Sequence, residues 1–206
     1  MKLSTRDLQM RQRIAQEAAR LIATEGVRDY GTAKRKAAER LGAPDTRNMP
    51  RNTEIEAELV SYQSLFLRDE QPRHLRLLRQ AAIEAMGFFE QFRPRLTGSV
   101  LSGTADKHSD VNLHLFAATP EEVSLYLMEQ QLPFEEAQRR FRFGRDEQHT
   151  LPVVRFMAGE VPVEAAIFSQ EGIRQPPLSP IDSRPMERAG LARVKALLEG
   201  AELAES

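Results

Sequence analysis

Between Leu96 and Phe116 the sequence reads LTGSVLSGTADKHSDVNLHLF, and its residue types suit the handling of a phosphate. A short strand ending in Gly98-Ser99 lets the backbone approach a ligand closely. If the next turn opens as a helix, its free N–H groups and the Ser99 hydroxyl can bind phosphate oxygens. After Gly103 a polar loop delivers Ser109. A strand follows, and its period of two places Asp110, Asn112 and His114 on one face, with Val111, Leu113 and Leu115 on the other. An anion-cradling turn next to oxygen ligands is a place for a metal–triphosphate complex. Plainer roles compete. Asp110 also suits a loop-capping carboxylate, and His114 suits a polar residue on a partly exposed strand rather than a substitute ligand.

A second group of charges comes from a hairpin. Leu151 to Met157 and Val161 to Phe168 read as strands joined by a two-residue turn, Gly159-Glu160, with glycine first as a type II′ turn requires. That turn pairs Ala158 with Val161, Phe156 with Val163 and Val154 with Ala165, so apolar side chains share one face. Pro162 falls opposite Met157 in a non-hydrogen-bonded pair, where its missing N–H costs nothing. Arg155 then lies directly across from Glu164 on the other face, alongside Val153 and Ala166, and an ion pair between them is expected. In the preceding strand Arg140 and Arg142 alternate with Phe141 and Phe143, as in an edge strand with one packed face and one charged face.

The elements that must carry these groups change character at Pro94. Before it the pattern is helical, with helices expected over 5–24, 32–41, 53–67 and 73–92. Ala37 and Ala38 form a small apolar patch suited to close packing on the first helix. Thr53 followed by Glu56 resembles a capping box, and residues 43–52, with two prolines, read as a loop. Beyond Pro94 strands are expected at 95–97, 110–116, 136–143, 151–157 and 161–168, with a helix at 120–131. A proline-rich passage, 176–185, leads to a closing helix over 186–199. The expected fold is α+β: a helical region (1–92) packed on a small mixed-sheet domain (93–175), then the proline-rich segment and last helix (176–206).

Composition removes several chemistries. With no cysteine among 206 residues there are no disulfides, thiolate nucleophiles or iron–sulfur clusters, and the four histidines lack the spacing of a helical zinc site. Apolar residues at 41% and charged residues at 29% fit an ordinary folded protein. No apolar run approaches the roughly 18 residues of a spanning helix, and MKLSTRDLQM lacks the apolar stretch of a secretory signal. A cytoplasmic protein with no membrane partner is the expectation. The formal net charge is −1, yet residues 1–51 carry +6, leaving −7 for the rest. A basic first third hints at an anionic partner, unless its positive faces meet acidic groups or water.

The ordered string Gly98, Ser99, Gly103, Thr104, Ala105, Ser109, Asp110, Val111 and Leu113 resembles the signature of the DNA polymerase β-like nucleotidyltransferases, in particular their minimal members. The resemblance covers about residues 93–170 and leaves the first 92 outside the family's core. It implies that Gly98, Ser99 and Ser109 contact nucleotide phosphates. Asp110 becomes the first ligand of Mg²⁺, Asn112 stands where the second aspartate belongs, and Glu164 is the candidate third carboxylate. With Asp110 and Glu164 catalytic, the implied reaction is attack of a hydroxyl on the α-phosphorus of a nucleoside triphosphate, assisted by two metal ions. Asn112 departs from the pattern, since an amide offers a cation one neutral oxygen and an N–H₂ group that repels it. The alternatives are a noncatalytic descendant that binds a ligand or a protein, and a DNA-binding regulator using the basic N-terminal helices. In the last case the segments 11–26 and 29–42 look like the first two helices of a TetR-type domain. The long loop that follows and the acidic opening Glu54, Glu56, Glu58 of the next helix fit that reading poorly.

Overall fold

The computed structural model describes residues 5–44 and 48–205. Lys2 and Arg47 of the basic stretch, and the middle of the expected 43–52 loop, lie outside the described residues. The chain divides into two compact units: residues 1–72 with 106–109 and 180–182, and residues 73–105, 110–179 and 183–206. The division therefore falls at Pro72, not Pro94. The reason is the apolar stripe of the fourth helix, which is spent on the sheet.

In the first unit, α1 (Thr5–Glu25), α2 (Tyr30–Arg40) and α3 (Asn52–Phe66) share one core. Ile14, Ala18 and Leu21 of α1 meet Ala33, Ala37 and Ala38 of α2 and Ile55 and Leu59 of α3, all buried. The paired alanines do what their size allows and admit a close helix contact. Asp29 caps α2, its carboxylate accepting the Thr32 N–H at 2.7 Å. The start of α3 differs from expectation. Glu54 rather than Glu56 turns back, accepting the Arg51 N–H at 2.7 Å, because the helix begins at Asn52.

The second unit is built on a sheet in the order β1 (Arg95–Thr97), β2 (Val111–Ala117), β5 (Val161–Ser169), β4 (Gln148–Ala158), β3 (Phe134–Arg142). Only β2 and β5 run parallel; the other pairs are antiparallel, so the α+β class expected from the sequence is what forms. Val111, Leu113 and Leu115 of β2, Val154 and Phe156 of β4, and Val163, Ala165 and Ile167 of β5 face the main core. Opposite them pack Leu78, Ala82, Ala85, Met86 and Phe89 of α4 (Glu70–Phe88) and the 3-10 turn after it. Val100 and Leu101 of α5 (Ser99–Ser102), Val123 and Leu127 of α6 (Pro120–Glu129), and Val194 of α7 (Leu191–Glu205) complete that core. The hairpin register is the expected one throughout, including Met157 opposite Pro162 and Arg155 opposite Glu164. Gly159 takes φ +61° and Glu160 does not take a positive φ, the signature of a II′ turn.

The other face of the sheet carries a smaller cluster, Phe116, Phe141, Val153, Ala166 and Phe168. On this face lie the groups with chemical potential. The outermost strand, β3, is an edge strand as expected, with Arg140 exposed and Arg142 donating to Ser183 Oγ at 2.6 Å.

Candidate functional site

The site is assembled by register. Antiparallel pairing sets Thr97 against Asn112, parallel pairing sets Asn112 against Glu164, and the hairpin sets Glu164 against Arg155. One row of side chains thus runs across four strands, starting at the turn that leaves β1. At that turn Gly98 adopts φ +74°, ψ −156°, and its carbonyl accepts the N–H groups of Leu101 and Ser102 at 3.1 and 3.0 Å. The single turn of α5 then closes on the Ser99 carbonyl, which accepts from Gly103, Thr104 and Ala105. Gly98 lies over Asn112: a β-carbon there would sit 3.8 Å from Asn112 Cβ and Nδ2. Buried Arg79 of α4 ties the same turn to the last helix by donating to the carbonyls of Val100 at 3.3 Å and Leu197 at 3.2 Å.

The polar centre is organised by arginines. Arg139 of β3 donates from Nη1 to both Asn112 Oδ1 at 3.0 Å and Glu164 Oε1 at 2.7 Å. Arg155 takes the other carboxylate oxygen, with Nε and Nη2 at 2.9 and 2.8 Å from Glu164 Oε2. Asn112 spends its Nδ2 on the Asp110 carbonyl at 3.1 Å, and its own carbonyl accepts from Thr97 Oγ1 at 3.3 Å. Burial pushes the Glu164 carboxyl up, but the hydrogen bonds and charges of Arg139 and Arg155 outweigh it and hold the group below the ordinary carboxylate range.

The expected Arg155–Glu164 pair is therefore present, and a second arginine joins it. Asn112 and Glu164 share the row and Gly98 lies over Asn112, while Ser99 opens α5 beyond that turn and Asp110 is half-buried just before β2. Ser109 is different: it belongs to the helical unit, where its hydroxyl is bound to Asp106, accepting that residue's N–H at 3.0 Å.

These donors do not fit Mg²⁺. Both oxygens of Glu164 and the side-chain oxygen of Asn112 already accept from guanidinium groups, and the Asn112 amide offers a cation only a neutral oxygen. No group of three or more His, Asp or Glu side chains converges as a cation site among the described residues.

His114, two residues further along β2, is not the polar surface residue expected. It is buried, with its ring 4.4 Å from that of Phe168 and edge-on to Phe141 at 5.6 Å. Its Nδ1 accepts from Arg188 Nε at 2.9 Å, which leaves the proton of the neutral ring on Nε2. Burial, with the charges of Arg188 and Arg139 added, pushes its pKa well down. Arg188 lies across Phe116 and Phe168, with its central carbon 5.1 and 4.8 Å from the ring centres, and donates to the Gly172 carbonyl at 2.8 Å. Burial, helped by the like charge of Arg95, lowers its pKa to about 10.

Sequence reasoning missed Arg139 and Arg188. For Arg139 a signal was available, since the strand period places it with Phe141 on the inward face. For Arg188, after the proline-rich passage, none was.

Three arginines of the basic first third are paired with acids. Arg11 pairs with Glu54, while Arg20 and Arg40 share Glu17 and Glu25. Among the described residues no helix is long and apolar enough to cross a membrane. No family model matches the chain, and no curated protein matches it.

Proposed function

We propose that this protein is a nucleotidyltransferase-like chain that has given up two-metal catalysis and acts as a noncatalytic binding or regulatory protein. The string from Gly98 to Leu113 supports the kinship, and the capture of Glu164 between Arg139 and Arg155 carries the loss of catalysis. A guanidinium resting on the oxygens of positions 112 and 164 puts fixed positive charge where a divalent ion would need open ligands. Removing it for each turnover would strand a largely buried carboxylate.

The test is transfer of label from each of four [α-³²P]NTPs in Mg²⁺, together with Mg²⁺ titration of the protein. The wild type should transfer no label and bind Mg²⁺ weakly. The double variant Asn112→Asp/Arg139→Gln should bind the ion about tenfold more tightly, because it restores a carboxylate and clears the cation. Label transfer by the wild type that is lost in Asp110→Ala would overturn the proposal.

A further inference from the structure

Two oxygens, from Asn112 and Glu164, converge on a single cationic nitrogen, Arg139 Nη1, at 3.0 and 2.7 Å. That is the arrangement of oxygens around a bound ion, with the ion supplied by the chain itself. The guanidinium lies over the Phe141 ring, its central carbon 5.4 Å from the ring centre, and meets these oxygens through one nitrogen. Arg139 spends just Nη1 on these partners, and its side chain is still 44% exposed; Arg155 is 52% exposed, whereas Glu164 is only 12% exposed. A carboxylate sunk beneath two half-exposed guanidinium groups leaves their remaining N–H donors to solvent. A second acid, Glu135, stands opposite Arg155 in register on β3, but it is exposed and forms no ion pair with Arg155 among the described residues. A fixed, planar set of N–H donors on a rigid strand is suited to the oxygens of a phosphate, and its orientation is set before the ligand arrives.

We infer that Arg139, steadied by Glu164 and Asn112 and seconded by Arg155, binds a polyphosphate anion without any metal ion. The class of ligand is a triphosphate, either inorganic or carried by a nucleoside. The inference rests on the noncatalytic reading, because a catalytic site would need the same oxygens for its metal.

The experiment is calorimetric titration of the intact wild-type chain with inorganic tripolyphosphate and, separately, with ATP. Each is run in EDTA and in Mg²⁺. Saturable binding in EDTA, no weaker than in Mg²⁺, is expected. Equal affinity for the two ligands identifies the phosphate chain alone as the determinant, and tighter ATP binding adds the nucleoside; both agree with the inference. Arg139→Gln should weaken binding by about tenfold or more, the loss of a charge-assisted contact. Arg145→Gln, an exposed arginine in the β3–β4 turn, should change little. If Arg139→Gln fails to fold, the nearly isosteric Asn112→Asp serves instead, since added negative charge beneath the guanidinium should also weaken binding. No saturable binding of either anion in EDTA, or unchanged affinity in both variants, overturns the inference. Those outcomes leave the noncatalytic proposal standing, while Mg²⁺-dependent label transfer would defeat that proposal on its own terms.

Discussion

Gly98 offers a clean measurement of how firmly the turn is imposed on the chain. Its φ of +74° with ψ of −156° lies in a region that is essentially glycine's alone. An alanine β-carbon would meet nothing closer than Asn112 at 3.8 Å, an ordinary contact, so the penalty for Gly98→Ala is entirely one of backbone conformation. Strain of that kind costs about 1–3 kcal/mol. Gly87 is the control, because it sits in α4 with open space where a β-carbon would go. There alanine should stabilise by about 0.5–1 kcal/mol through helix propensity and a less flexible unfolded chain. The same substitution thus has opposite signs at two sites in one compact unit. Hydrogen exchange at the amides of β2 and β5 reads that unit alone, and protection there should fall in Gly98→Ala and rise in Gly87→Ala. If Gly98→Ala keeps wild-type protection while Gly87→Ala behaves as described, the turn does not need its glycine and the backbone reasoning is refuted.

Three further outcomes follow from the same face and its supports. The fold lowers the pKa of His114, so the unfolded chain takes up a proton there first. Stability is full above the unfolded value of about 6.5 and declines as pH falls from there toward the folded value. Urea unfolding at pH 7.5 and 5.5 should show that decline in the wild type and a smaller one in His114→Gln; equal declines would remove His114 as the cause. Glu164 contributes in the same direction at lower pH, its stabilisation being lost as pH drops below the ordinary carboxylate range. Glu164→Gln should cost about 1–2 kcal/mol in urea unfolding at pH 7, a modest figure because both arginines remain half in water. Arg79→Met should cost about 1–3 kcal/mol by stranding the Val100 and Leu197 carbonyls, and should speed exchange at the α5 amides; unaltered exchange there would show that the turn does not depend on Arg79.

Much of the architecture could be read because local rules sufficed. The β4–β5 register was legible since a two-residue turn with glycine first admits one pairing that keeps Val154, Phe156, Val163 and Ala165 on a common face. The pairing of Arg155 with Glu164 came with it, being a neighbour relation within a hairpin. The break between compact units was harder. Pro94 marks where helix gives way to strand, but a change of secondary structure is not a change of core, and Leu78 to Phe89 pack on the sheet that follows them. His114 was misjudged for a related reason. Alternation along β2 sets the face a side chain occupies and says nothing of what covers that face, and here the cover is Phe168, Phe141 and the guanidinium of Arg188.

The unread part of the site consists of long side chains acting at a distance along the sequence. Arg139 is 27 residues from Asn112 and 25 from Glu164; Arg188 is 74 from His114. Carboxylates declare themselves in a motif because short side chains must be placed by their own backbone. An arginine on a strand two places removed can reach the same oxygens and alter what they do, without disturbing the motif. Arg139 faces Leu151 in register, two steps along its face from the Arg155–Glu164 pair, and reaches back past the row of Ala137, Val153 and Ala166. Two of those three residues are alanines, and larger side chains there would obstruct the reach. The small residues under an arginine's path are thus part of the site even though they carry no chemistry. Ala166→Leu should displace the guanidinium from Glu164, an outcome visible as a rise in the Glu164 pKa by carboxyl-carbon NMR. An unmoved pKa in a folded Ala166→Leu protein would show that Arg139 reaches Glu164 by another path.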